Sequence, residues 1–174
     1  MAEESRALDR RFSEVTVGTG RASLVFDYGR TYLVTEDRLG RTIHIAQEFL
    51  DTGRKVLCVS RLHPDLLADQ WGGKPVNSIW LSERPGPENV PPEQLQRLQQ
   101  KIALFAKENK NSVVVMDGIE YLSLFNDFQR LQIFVEQLND VMMDADSILL
   151  IALDPRLFDL RSTARLRRFA EVVA

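Results

Sequence analysis

Five short, continuously apolar runs alternate with helical segments along this chain, and that alternation narrows its fold more than any other feature. Residues 31–35 (TYLVT), 56–60 (VLCVS), 77–82 (NSIWLS), 112–117 (SVVVMD) and 147–153 (SILLIAL) have the length of strands and little polar alternation. That is the pattern of strands buried on both faces. A further short strand is expected at 22–28 (ASLVFDY). Between the runs, Ile43, Ala46, Phe49 and Leu50 recur at helical spacing over 39–52, and Gly53 follows as a C-terminal cap with Arg54 and Lys55 beside it. Pro64 opens a short helix that reaches Trp71 before Gly72 and Gly73 end it. A proline-rich loop over 83–92 precedes a long helix, started by Pro91 or Pro92, with Leu95, Leu98, Ile102 and Phe105 in one stripe. After Gly118 a helical region, broken near Asn126, carries Leu131, Phe134, Val135, Leu138, Val141 and Met142. Asp154 is expected to cap a final helix, with Pro155 at its first position.

Strands of this kind form parallel sheets with helices on both faces and right-handed crossovers. The expected fold is therefore three-layer α/β/α around a mainly parallel sheet. Ligands of such sheets sit beyond the carboxyl ends of the strands, which here fall at 35–40, 60–63, 82–87, 117–121 and 154–156.

A chain of 174 residues can bury one sizeable core. Residues 1–20 are expected to form a polar arm and 21–174 a single domain. With 44% apolar and 27% charged residues the chain is of the globular class, and a net charge of −3 argues against nucleic acid as a partner. Its single cysteine, Cys58, excludes a disulfide framework, and its place inside an apolar run makes it an inert core residue. Two histidines, His44 and His63, are too few for a typical zinc site, so neither metal nor other cofactor is expected. No run reaches the roughly 18 apolar residues of a membrane span. The charged start MAEESRALDRR lacks the apolar centre of a secretory signal, so a cytoplasmic protein without membrane insertion is expected.

A phosphate-binding loop follows a strand with G-x-x-x-x-G-K-[ST] and leads into a helix. Its glycines let backbone N–H groups wrap a phosphate, and its lysine reaches the outer phosphates. At that place this chain reads Thr35-Glu36-Asp37-Arg38-Leu39-Gly40-Arg41-Thr42. The spacing, Gly40 and Thr42 persist, but Thr35 replaces the first glycine and Arg41 the lysine. Glu36 and Asp37 stand where phosphate charge would arrive. Like charges about 4 Å apart at a protein surface repel by about 4 kcal/mol. Those acids can instead occupy the positive end of the helix themselves. The leading reading is a capped helix with a solvated charged turn; a weak or altered nucleotide site on the vestigial Gly40, Arg41, Thr42 and Asp117, and a different anion site, are the alternatives.

Asp117 ends the most apolar strand, where P-loop proteins place an acid that helps to hold magnesium. The plainer role is structural: bonding the Gly118 turn or pairing with an arginine. The second strand ends in Ser60-Arg61, with no acid to act as a general base. Arg61 is expected to pair with Asp117, or else to form a rim anion site with Arg38 and His63. The C-terminal segment mixes Arg156, Arg161, Arg165, Arg167 and Arg168 with Leu157, Phe158, Leu160 and Leu166. Arginine mixed with aromatic and apolar groups is typical of interface hot spots, and Leu157, Phe158, Arg161 and Arg165 are the candidate interface residues.

The stretch GRTYLVTEDRLGRTIHIAQEFLDTGRKVLCVSR resembles the opening of RecA- and KaiC-type ATPases, VVVMDGIEYL resembles their magnesium-site strand, and SILLIALDP the strand after it. YLVTE, SRLHPDLL, WLS, DGIEYLSLFNDF and LIALDP, in that order from about Gly29 onward, are similar to an archaeal family known as domain of unknown function 835. The resemblance implies a RecA-like sheet of order 1-5-4-2-3, counted from residues 31–35, often attached to sensory or signalling modules. It brings no established activity. Of the ATPase pattern only Gly40, Thr42 and Asp117 carry over. The expectation is a pseudo-NTPase module, not an enzyme, that works through a protein partner or homo-oligomer in archaeal signalling or regulation. A nucleotide- or anion-binding sensor with a modified loop is the alternative, and a small-molecule enzyme using Arg61, His63 and Asp117 is a third reading.

Overall fold

Apolar side chains on both faces of a strand need cover above and below the sheet, and the helices of this chain supply it. The computed structural model describes residues 14–16 and 23–173, so most of the expected polar arm lies outside the described residues. In chain order the strands are β1 (Glu14–Thr16), β2 (Ser23–Val25), β3 (Arg30–Thr35), β4 (Val56–Ser60), β5 (Asn77–Leu81), β6 (Asn89–Val90), β7 (Val113–Asp117), β8 (Ile148–Leu153) and β9 (Ala170–Val173). The helices are α1 (Arg41–Asp51), α2 (Pro64–Gln70), α3 (Leu95–Glu108), α4 (Ile119–Ser123), α5 (Phe128–Ala145) and α6 (Leu160–Leu166).

β1 and β2 pair antiparallel. The other strands form one parallel sheet in the order β6-β5-β4-β7-β8-β3-β9. Within it the expected strands stand as β3-β8-β7-β4-β5, the anticipated 1-5-4-2-3. The two edge strands are additional. β6 lies in the proline-rich loop and is held by backbone bonds, Trp80 N–H to Glu88 C=O at 2.8 Å and Ser82 N–H to Val90 C=O at 3.0 Å.

β7 shows how the layers form. Its side chains alternate, so Val114 and Met116 enter a core with Leu98 and Ile102 of α3 and Leu131 and Leu138 of α5. Val113 and Val115 enter the opposite core with Ile43, Ala46 and Phe49 of α1 and with Trp71 after α2. Val113, Val114 and Val115 are all fully buried, as a central strand requires. Cys58 is buried in the second core, and burial raises its thiol pKa. It is therefore a core residue and a poor nucleophile.

Two expected helix starts are corrected. Asp154 does not cap the last helix; its carboxylate is taken by Arg156, through the backbone N–H at 3.0 Å and the guanidinium at 2.7 Å. Asp159 is the cap, accepting from Ser162 N–H at 2.7 Å, and α6 begins at Leu160. Likewise Pro91 starts a turn, closed by Gln94 N–H to Pro91 C=O at 3.0 Å, and α3 begins only at Leu95. Among the described residues no helix is long and apolar enough to cross a membrane.

Candidate functional site

The parallel register gathers the carboxyl ends of the strands on one rim. Thr35 pairs with Leu153, Asp117 with Ala152, and Ser60 with Trp80. α1 opens onto this rim with no side-chain cap from Gly40 and no acid in its first turn. A helix start leaves backbone N–H groups without partners and carries partial positive charge. Glu36, the residue after β3, meets both needs. Its own N–H is tied to Leu153 C=O at 2.9 Å. Its carboxylate accepts from Gly40 N–H through Oε1 and from Thr42 N–H through Oε2, each at 3.0 Å. A side-chain anion thus sits in the seat that a phosphate-binding loop offers its ligand. A Cβ built on Gly40 would meet nothing nearer than Arg38 C=O at 3.9 Å, so close packing does not demand glycine there. Thr42 is fully buried, and its hydroxyl has no hydrogen-bond partner. Arg38 is exposed.

Asp117 is also a correction. Neither the Gly118 turn nor Arg61 is its hydrogen-bond partner; Ser60 donates its hydroxyl to the Asp117 carboxylate at 2.8 Å and accepts from Leu62 N–H at 3.0 Å. Burial pushes the Asp117 carboxyl above its ordinary range; the Ser60 bond opposes this, the charge of Glu36 adds to it and Arg61 offsets part. Glu120 in α4, which the sequence does not single out, is raised by burial too, against the hydrogen bond it receives from Asp154 N–H at 2.7 Å. Gly118 holds the turn after β7 at φ 132°, and a Cβ there would stand 3.1 Å from Leu81. Only glycine suits both conditions.

A carboxyl held above its unfolded pKa binds its proton more tightly when folded. Its stabilising share is full below the unfolded value of about 4 and is lost as pH rises through the folded value. Asp117→Asn keeps an oxygen for Ser60 and removes the titration. It is expected to raise stability near pH 7 by about 1.4 kcal/mol per unit of elevation, and to give no such gain near pH 3. Urea melts across that range check it, and a loss near pH 7 that disappears near pH 3 would show that the charged form is needed.

Arg61 turns instead to Tyr121, with its guanidinium 4.8 Å from the ring centroid. His63 caps α2 by accepting from Asp65 N–H at 3.2 Å, and its ring lies edge-on to Trp80 at 4.9 Å. The structure therefore brings Arg61 and His63 together around Trp80. At the C-terminal segment, Leu157 is 66% and Leu160 90% exposed. Phe158 is packed against the core and meets Phe128 at 6.5 Å, while Arg165 lies 5.8 Å over the Phe128 ring. Arg161 is exposed.

A family model described as a protein of unknown function (DUF835) matches residues 36–169. No curated protein matches the sequence. Among solved structures, the chain is similar to the crystal structure of the flagellar accessory protein FlaH from Methanocaldococcus jannaschii, with a TM-score of 0.56 and 16% identity over 82% of this chain and 69% of that one. Likeness at this identity is one of fold, and the fold is RecA-like α/β.

Proposed function

We propose that this chain, which belongs to the DUF835 family, is a pseudo-NTPase module that acts through protein contacts in archaeal signalling or regulation. The observation that carries the proposal is the Glu36 carboxylate on the Gly40 and Thr42 N–H groups. A nucleotide would have to displace an anion that is tethered to the site. It would also meet Asp37 and Asp117, with Arg41 where a loop lysine reaches the outer phosphates and Ser60-Arg61 where an acid would activate water. The unpartnered Thr42 hydroxyl favours a second reading, in which an anion displaces Glu36 and the domain senses it.

Contact is placed at the C-terminal surface of Leu157, Leu160, Arg161 and Arg165. Phe158 is set aside because its ring packs inward on Phe128. One preparation tests both halves of the proposal. ATP and GTP with magnesium are expected to give no hydrolysis above a blank and no thermal shift, whereas binding at a hundredfold excess over Kd would stabilise by about 2.7 kcal/mol. Light scattering is expected to show association that Leu157→Asp with Leu160→Asp abolishes. Turnover that Asp117→Ala removes would defeat the first half; a wild-type monomer at every concentration, with no partner lost by the double variant, would defeat the second.

A further inference from the structure

We infer that the cleft at the carboxyl ends of β4, β5 and β7 docks an acidic protein segment that also carries an apolar or aromatic side chain. The inference rests on the reading of the domain as a contact module and assigns that module a second, chemically defined surface. The cleft has a volume of about 440 Å³ and is lined by Arg61, Trp80, Ser82, Arg84, Tyr121 and Phe125. Two guanidiniums lie on two rings: Arg61 at 4.8 Å from the Tyr121 centroid and Arg84 at 5.9 Å from that of Trp80. The rings are themselves held. Trp80 donates its Nε1–H to Arg61 C=O at 3.0 Å and meets the edge of His63 at 4.9 Å. Tyr121 meets Phe125 edge-on at 5.1 Å.

Two arginines of this protein are held by carboxylates, Arg30 by Glu171 and Arg156 by Asp154, and their N–H edges are thereby taken. Among the described residues the guanidiniums of Arg61 and Arg84 make no salt bridge and donate no hydrogen bond, although Arg61 acts on the charge of Asp117 at longer range. A guanidinium stacked on a ring still presents its N–H edge, and that edge matches a carboxylate in a two-pronged bond. Charge complementarity therefore asks for acid. The apolar half of the ligand follows from Phe125 and Leu124, 42% and 75% exposed beside Tyr121. Arginine, tryptophan and tyrosine clustered in this way are the residues that dominate protein interfaces.

Other occupants fit less well. A nucleic-acid strand needs a basic track along its backbone, and two arginines in a cleft that Glu83 also lines do not make one; a short peptide needs only to set its carboxylates on the arginines and away from Glu83. A small molecule is normally enclosed over most of its surface, and this cleft opens broadly to solvent.

The test selects peptides from a random phage-displayed library against the full chain and measures the best binders by fluorescence in a Trp71→Phe background, where Trp80 is the remaining tryptophan. The selected peptides are expected to carry clustered Asp or Glu beside Phe, Trp or Leu, to change Trp80 emission, and to weaken with salt. Arg61→Ala and Arg84→Ala, folded by the same thermal melt, should each lower affinity by about tenfold or more, the loss expected of a hot-spot residue. Arg61→Lys keeps the charge without the planar fork and should lose most of that affinity too. Failure to select any binder, binders without acid, affinity indifferent to Arg61 and Arg84, or displacement by single-stranded oligothymidylate would each overturn the inference. If association through Leu157 and Leu160 survives such a result, the contact-module reading stands without this cleft.

Discussion

Glu36→Ala is expected to weaken the fold in chloride buffer and to make it respond selectively to inorganic phosphate. The carboxylate is the acceptor for Gly40 N–H and Thr42 N–H at the start of α1. Hydrogen bonds to a charged group contribute about 1.5–3 kcal/mol each. Glu36 is only partly buried, so solvent screening brings each bond below that range, to about 1 kcal/mol, and the pair to about 2 kcal/mol in total. Its removal leaves a positive helix end and two open backbone donors at a vacated seat. Phosphate at ten times its Kd would then restore about 1.4 kcal/mol. Phosphate also stabilises most proteins by exclusion from their surface, so the quantity to measure is the extra response of the variant over the wild type. Glu36→Gln is the control: it keeps the bulk in the seat with one carbonyl oxygen, and should be intermediate in stability without the extra response. Equal phosphate responses in wild type and Glu36→Ala would show that the seat is not an anion site. Hydrolysis is not expected to return in any of these variants, because β4 still ends in Ser60-Arg61.

Sequence alone reaches half of this site. Strand, loop and α1 are visible because apolar runs and helical spacing are local signals. The spacing to Gly40 and Thr42 marks the seat, and Glu36 with Asp37 can be read either as repelling a phosphate or as replacing it. Geometry selects replacement, and it selects Glu36, whose backbone is pinned to Leu153. Asp37 is left exposed. Asp117 is harder. Its candidate partners are all near a strand end, and only the β4–β7 pairing puts the Ser60 hydroxyl at 2.8 Å. Arg61 escapes the expected ion pair because Tyr121, from the segment after β7, offers it a ring.

Other misreadings have equally local causes. β9 is AEVV, with Ala170 and Val173 buried and the two residues between them exposed. Four residues after an arginine-rich helix show too little alternation to separate a strand from a helix end. β6 has only two residues and no apolar run at all. Asp154 and Asp159 both precede segments that can turn helical, and Arg156 decides between them by engaging the first. In each case the information lies in a pairing across the fold, which periodicity does not carry.

Trp71→Ala should cost about 3–5 kcal/mol, as deletion of a buried large aromatic does, and should be the most damaging of the changes considered. Trp71 is 1% exposed, yet it closes a helix of only 7 residues. Its side chain fills the core formed by α1 and the sheet, among Phe49, Cys58 and Val115. Its carbonyl accepts from Lys74 N–H at 3.2 Å and from Gln47 Nε2 of α1 at 3.5 Å, the latter at the limit of hydrogen bonding. Gly72 and Gly73 follow at φ 62° and 75°, and a Cβ on either would meet nothing within 4 Å. Those glycines serve the left-handed turn toward β5, while the tryptophan is what seats α2. Its Nε1–H is buried without an oxygen or nitrogen acceptor, and the Cys58 sulfur is at best a weak partner. Trp71→Phe therefore loses volume but also relieves an unsatisfied donor that costs about 1–3 kcal/mol. That variant should stay within about 1.5 kcal/mol of the wild type. Urea melts of the three proteins separate the effects, since a shift in midpoint at constant slope reports stability alone. A loss below about 1 kcal/mol for Trp71→Ala would mean the site collapses around the cavity. In that event α2 would not depend on the tryptophan for its position, and neither would the Ser60–His63 segment from which it starts.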